Sequence, residues 1–309
     1  MDGGLSSDET VVFFAVKTLE NITAQSNSAG GRFATVESAN YLLQIFLGLH
    51  TPGGQQVPIF ANENLRTSAA VALSHICRLQ PKLFPLVFNK VTPRLFCYTL
   101  SEGQARVQQA FITLLNQALA QNIYPKINEI LLRLDSPEGA KEDEAQGFGF
   151  LKCLMRLLEH HSIVIRGKAL LTFLLLFKQD FRWMAVVDPE VKFFHVLDRL
   201  SRDNYKYVQC CLLCLIEGIV DTIPLIFSAI SEELNILLNG GRAASIPSEF
   251  DRRICRPEFE NLPQQGGSNM IYIAIVLDLL QAQCVKQRIV NYGFVRSIAT
   301  LIDNVQGDG

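Results

Sequence analysis

The residues that first suggest chemistry are three cysteines in one short run, Cys210-Cys211 and Cys214. Thiolates at that density are zinc ligands when four donors converge. On a helix, Cys210 and Cys214 share a face while Cys211 points elsewhere, and no second CxxC or HxxxH lies nearby. All three fall between the main apolar positions of a hydrophobic helix, so they are expected to pack in the core. The histidines are His50, His75, His160, His161 and His195, and they form no HExxH. His160-His161 stands at an expected helix end, where imidazoles interact with the last carbonyls. A GxSxG nucleophile elbow, the phosphate-cradling GxxxxGK[ST] and GxGxxG loops, and a kinase Lys/HRD/DFG set are all missing from the sequence. The chain is therefore expected to be no enzyme, with no catalytic residues, no cofactor and no metal.

Binding chemistry has weaker candidates. Arg252, Arg253 and Arg256 form the densest basic group and suit an acidic partner surface. Tyr41, Phe193 and Phe194 are aromatic candidates on the second helices described below. The Lys141–Glu144 run reads as solvated charge. Trp183, the single tryptophan, reads as a plug in the core or between repeats, since one Trp cannot build the ladder of a nuclear-import groove.

Composition sets the frame for these residues. Of 309 residues, 49% are hydrophobic and 19% charged, which excludes intrinsic disorder. The formal charge of −2 argues against wholesale nucleic-acid binding. The longest apolar stretch is taken as 169–177, about half of what crosses a bilayer, so no membrane insertion is expected. The acidic start, Met1-Asp2-Gly3-Gly4, lacks the basic region of a signal peptide. The expected location is cytoplasmic, with the other cysteines (Cys77, Cys97, Cys153, Cys255 and Cys284) reduced.

The elements that must position any site come from an internal repeat. Five segments share apolar residues at offsets 0, +4, +5, +8 and +11, one stripe of a helix. They are Val11/Ala15/Val16/Leu19/Ile22, Leu65/Ala69/Ala70/Leu73/Ile76 and Val107/Phe111/Ile112/Leu115/Ala118, then Ile165/Ala169/Leu170/Phe173/Leu176 and Val208/Leu212/Leu213/Ile216/Ile219. A sixth copy is read at Ile271/Ile275/Val276/Leu279/Ala282. Successive starts lie 54, 42, 58, 43 and 63 residues apart. A base period near 42, with loop insertions near 50–62, 135–147 and 240–267, is that of armadillo and HEAT repeats.

A second amphipathic helix follows each template helix, at 33–49, 82–89, 122–134, 189–202 and 224–238. Pro189 and Pro224 are read as first-turn residues. The fold class is thus all-α, an armadillo/HEAT-like α-solenoid of about six helical repeats in a single domain over 1–309. Ala15, Ala69 and Ala169 at +4 imply close helix approach. Position +1 carries Arg66, Gln108, Arg166 and Gln209, expected to tie repeats together structurally. By analogy with other solenoids, the second helices are expected to line the interaction face.

Specific strings add a resemblance. DETVVFFAVKTLENIT at 8–23 is followed by RFATVE at 32–37 and Leu42-Leu43. Leu65-Arg66 with Ala72-Leu73, RLQP at 78–81, VQQ at 107–109 and IRGKAL at 165–170 complete the set. Together they resemble the C-terminal armadillo/HEAT-repeat region of the Unc-51-like pseudokinase / RUNKEL group, which is Fused-related, over about residues 8–180.

The resemblance implies a non-catalytic protein–protein interaction scaffold. Its implied partners are a Fused-type kinase, kinesin or axonemal and microtubule proteins, at the cytoskeleton of cilium or flagellum. No kinase-like segment lies in the sequence, so no catalytic residue carries over. A general adaptor for transport or assembly, and a direct microtubule-binding module, remain the other two readings.

Overall fold

The computed structural model describes residues 7–48, 62–101, 103–121, 127, 130–131, 149–187, 193–238 and 270–306. Every regular element among them is a helix, as the repeat pattern predicts. The chain divides into two compact units, Met1–Thr172 and Phe173–Gly309, where the sequence suggests one repeat domain.

The first unit holds α1 (Ser7–Gln25), α2 (Asn27–Gly31), α3 (Val36–Leu47), α4 (Glu63–Leu79), α5 (Leu83–Phe88), α6 (Pro93–Ser101), α7 (Ala105–Ala120) and α8 (Phe150–Leu157). It also includes α9 (Ile163–Gln179) as far as Thr172. Template helix α1 packs on α4 and α4 on α7, α7 is hydrogen-bonded to α9, and the shorter α3 and α6 pack on α4 and α7. The stripe explains the stacking. In the second, third and fourth copies all five template residues are at most 3% exposed. The first copy departs, with Val11 and Ala15 exposed, so the close approach expected at Ala15 occurs at Ala69 and Ala169 instead; in the fifth copy Leu213 is exposed.

Phe111 is the hub of this core. Its ring lies 5.5 Å from Phe46, 5.1 Å from Phe96 and 6.2 Å from Phe88. Aromatic contacts at such distances add about 0.5–1.5 kcal/mol each to area burial.

Local chemistry sets the helix ends. Thr35 caps α3 by accepting from Ser38 N–H, and Gly48 closes it in the left-handed conformation that glycine adopts without penalty. Gly30 and Gly31 finish the short helix α2. His160 does not meet the preceding helix's carbonyls as expected. Its Nδ1 accepts the Ser162 N–H at 3.0 Å, at the entry to α9.

The second unit holds α10 (Trp183–Val186), α11 (Phe193–Leu200), α12 (Lys206–Leu238), α13 (Met270–Gln281), α14 (Gln283–Ile289) and α15 (Tyr292–Gln306). Trp183 is fully buried, as expected of a core plug.

One boundary is wrong in the sequence reading: α12 runs unbroken through Pro224, which was taken as the first turn of a new helix. Pro224 lies on the exposed face, so water reaches the carbonyl its missing N–H would have bonded. One turn earlier, Thr222 Oγ1 donates to the Ile219 carbonyl at 2.6 Å. The unbroken helix also replaces 169–177 as the longest apolar run. Lys206–Glu232, with mean hydropathy 2.1, is long and apolar enough by composition to cross a membrane. Half of it is buried within the unit, and its exposed face carries Glu217 and Asp221, which is the pattern of a core helix.

Candidate protein-binding groove

The first unit carries an open groove of about 550 Å³ across three template helices. Helix α4 contributes Thr67, Val71, Ser74 and His75; α7 contributes Arg106, Gln109, Thr113 and Gln117; α9 contributes Lys168. These residues occupy turns of the template helices that the apolar stripe leaves free. The stripe pins each helix to its neighbours and thereby aims the polar positions into one shared channel. Sequence reasoning missed the groove because an off-stripe polar residue looks the same whether it faces bulk water or a neighbouring helix.

Polar bonds run from helix to helix along it. Thr23 of α1 is hydrogen-bonded through Oγ1 to His75 Nδ1 of α4 at 3.2 Å. Ser74 of α4 donates to Gln117 Oε1 of α7. Lys168 of α9 donates to Thr113 Oγ1 of α7. Beneath them Asn116 Nδ2 donates to the Lys168 carbonyl at 3.0 Å. Arg106 donates to Asn64 Oδ1 at 3.3 Å at the exposed edge. Thr67 Oγ1 is buried and has no hydrogen-bond partner among the described residues.

Burial sets the electrostatics. It lowers the pKa of Lys168, and it lowers that of His75, with Arg78 adding to the effect and Glu20 opposing it. His75 is therefore mostly neutral at pH 7.

The +1 positions are structural, as expected. Arg66 Nε donates to the Phe46 carbonyl at 2.9 Å, Gln108 Nε2 to Leu100 at 2.8 Å, Arg166 to His160 at 2.7 Å, and Gln209 Nε2 to Asp203 at 2.6 Å. Each reaches back to a carbonyl of the segment before its own helix. A guanidinium or amide at this offset thus holds the template helix to the element it follows.

The other expected site residues are scattered. Tyr41 is 43% exposed on α3 and lines no part of the groove. Phe193 and Phe194, 2% and 9% exposed, are corrected from surface candidates to core. Phe193 sits 4.7 Å from Phe173 and 5.8 Å from Phe177, so the apolar stripe of α9 covers it. Arg252, Arg253 and Arg256 lie outside the described residues, as do most of 50–62 and all of 135–147 and 240–267.

The Cys210/Cys214 expectation is also corrected. Both thiols are exposed, because the buried side of α12 is carried by Val208, Leu212, Leu215 and Ile219. Cys211 is half-buried and hydrogen-bonded to Tyr207; burial raises its pKa. Among the described residues no three His, Cys, Asp or Glu side chains are grouped to hold a metal.

Known proteins carry the same pattern. No family model matches the chain. It is 25% identical over 300 residues to the serine/threonine-protein kinase RUNKEL of Arabidopsis thaliana, covering 97% of this chain and 20% of that protein. To the serine/threonine-protein kinase ULK4 of Mus musculus it is 24% identical, again covering 97% of this chain and 20% of the relative. The chain is similar to one segment of these two kinases. It spans about a fifth of their length. The resemblance read from the strings over 8–180 therefore extends over nearly the whole chain.

Among solved structures, a designed armadillo repeat protein matches with a TM-score of 0.51 at 14% identity, over 88% of this chain and 95% of that one. An engineered protein matches at 0.52 and 13%, over 87% and 93%. At such identities the likeness concerns the fold, and it agrees with the all-α armadillo/HEAT-like solenoid read from the 42-residue period.

Proposed function

We propose that this chain is a non-catalytic scaffold whose groove holds an extended segment of a partner protein. The observation that carries the reading is the groove itself: an open channel crossing α4, α7 and α9, mainly apolar in its lining and set with hydroxyls, amides and the cations of Arg106 and Lys168. Its amides and hydroxyls are donors and acceptors suited to a peptide backbone. Ser74 is engaged with Gln117 and His75 with Thr23, so hydroxyl and imidazole are not paired with each other for acyl transfer. The kinase names of RUNKEL and ULK4 belong to proteins about five times longer, and similarity to one segment brings no kinase chemistry with it.

The family resemblance supplies the choice of partner: a Fused-type kinase, or a kinesin or other microtubule-associated protein. It also supplies the location, the cytoplasmic cytoskeleton of a cilium or flagellum. The test is affinity capture from ciliated cells with the full chain and with Ala110→Trp, which fills the groove at a half-exposed position. A Fused-type kinase or kinesin retained by the wild type and lost by the folded variant supports the reading. Recovery of importins or chaperones alone, or equal recovery by both proteins, overturns it. Cosedimentation of the pure chain with microtubules would favour the direct microtubule-binding reading instead.

A further inference from the structure

We propose that the groove selects an acidic partner: an extended peptide segment whose Asp or Glu carboxylates lie against Arg106 and Lys168. This rests on the groove being the partner-binding site. Among the described residues no side chain lining it is a carboxylate, whereas Arg106, Lys168 and His75 all face it. Lys168 is half-buried, and its side-chain partner is the neutral hydroxyl of Thr113. An ammonium drawn out of water without a counter-charge is held at a cost, which is why burial lowers its pKa. A carboxylate arriving beside it would offset that cost and form a charge-assisted hydrogen bond.

Arg106 is poised in the same way. It is exposed, and among the described residues its side chain bonds the neutral Asn64 amide, so most of its five donors remain for a bidentate carboxylate. Nearby acids are engaged elsewhere. Glu20, whose charge reaches His75, is held by Lys17 at 2.8 Å. Glu63 acts on the buried Arg66.

The spacing suits an extended chain. Arg106 and Lys168 stand on template helices that pack against each other through Asn116 and Thr113. The Lys168 ammonium rests on Thr113, seven residues beyond Arg106 on α7 and so about 10 Å along that helix, and an extended peptide advances about 3.3 Å per residue. Acids roughly three residues apart therefore match the two cations, while the Gln109 and Gln117 amides address the backbone.

The experiment is fluorescence anisotropy with three labelled peptides of Ser and Gly, carrying Glu, Gln or Lys at every third position. Each is titrated against the full chain, Arg106→Gln, Lys168→Gln and Ala110→Trp, with each variant's melting temperature recorded. The Glu peptide should bind most tightly, weaken about tenfold in either charge variant, and weaken with added salt. Should Lys168→Gln unfold, Arg106→Gln carries the test, since its side chain is exposed and its bond to Asn64 lies at the edge. A Gln or Lys peptide binding as tightly as the Glu peptide, yet lost in Ala110→Trp, would keep the groove and overturn the acidic preference. Failure of the Glu peptide to bind the wild type also overturns it. Binding of every peptide unaffected by Ala110→Trp would overturn the groove reading itself.

Discussion

Thr172 of α9 donates its hydroxyl hydrogen to Asn116 Oδ1 of α7 at 2.7 Å, across 56 residues of sequence. The Lys168 carbonyl lies 2.9 Å from the same hydroxyl, whose single hydrogen is shared between the two acceptors, and it accepts from Asn116 Nδ2 at 3.0 Å. Both side chains are buried, so two template helices are joined by a polar triangle inside an apolar interface. Thr172→Val should cost about 1–3 kcal/mol, because it leaves the buried Asn116 Oδ1 without its donor, and Asn116→Leu about 1 kcal/mol, because the Thr172 hydroxyl still has the Lys168 carbonyl to donate to. The double variant should cost less than the two together, by about 1 kcal/mol. Urea denaturation of all four proteins measures the coupling, and additive losses would contradict it.

Arg66 ties α4 to the carbonyl of Phe46 in α3. It is 7% exposed, and burial lowers its pKa. Arg66→Met should destabilise by about 1–3 kcal/mol, as the Phe46 carbonyl loses its donor. Arg66→Gln should lose less, because Gln108 and Gln209 do the same work at the equivalent position. Denaturation midpoints rank the three proteins. Equal losses for Met and Gln would show that packing of the Arg stem, and not the hydrogen bond, carries the contact.

The stripe was legible in the sequence because burial follows it directly: Leu65, Phe111 and Ile165 sit where a 3.6-residue period puts them. The +1 residues were legible for a related reason, since a donor one residue into an apolar helix must find a carbonyl. The groove was not. Ser74 and Gln117 are 43 residues apart, and nothing in either neighbourhood names the other. Pro224 misled because a proline marks a helix start more often than an exposed mid-helix position. Phe193 and Phe194 misled because the second helices are expected to line the interaction face. In fact both are buried, Phe193 against Phe173 and Phe177 of α9.

Two glycines separate steric need from convenience. A Cβ on Gly103 would stand 2.3 Å from the Thr99 carbonyl oxygen, a backbone atom that cannot swing aside. On Gly31 it would meet nothing within 4 Å. Gly103→Ala should destabilise by about 1–3 kcal/mol through forced backbone movement. Gly31→Ala should be neutral or stabilise by up to about 1 kcal/mol, through reduced freedom of the unfolded chain. Melting temperatures that fall equally in both variants would contradict the assignment.

Cysteine exposure predicts a labelling order. Cys210 and Cys214 are exposed, whereas Cys77, Cys97 and Cys153 are buried. Burial also pushes the Cys77 thiol up to about 12, removing the reactive thiolate. A brief maleimide pulse on the native chain, read by peptide mass spectrometry, should modify Cys210 and Cys214 and spare Cys77 until denaturant is added. Early modification of Cys77 would mean that the α4 core opens readily.

Asp198 of α11 caps the entry to α14 from outside, accepting Cys284 N–H at 2.7 Å and Gln283 N–H at 2.9 Å. Burial alone would raise its pKa, but the hydrogen bonds from Cys284 and Gln283 outweigh burial and hold it below the usual carboxylate range. A carboxylate lowered on folding binds fewer protons in the folded state. Its stabilisation is therefore complete above the unfolded pKa near 3.9 and is lost as pH falls through the folded value. Asp198→Ala should cost about 1 kcal/mol at neutral pH, as expected for a lost helix cap. The gap between wild type and variant should close as the pH is lowered below 4. Asp198→Asn keeps an acceptor without the charge, so its deficit at neutral pH should be smaller and its stability less sensitive to acid. Urea titrations of the three proteins at neutral and acidic pH decide the matter: a deficit for Asp198→Ala that persists unchanged in acid would assign the contact to packing instead of charge.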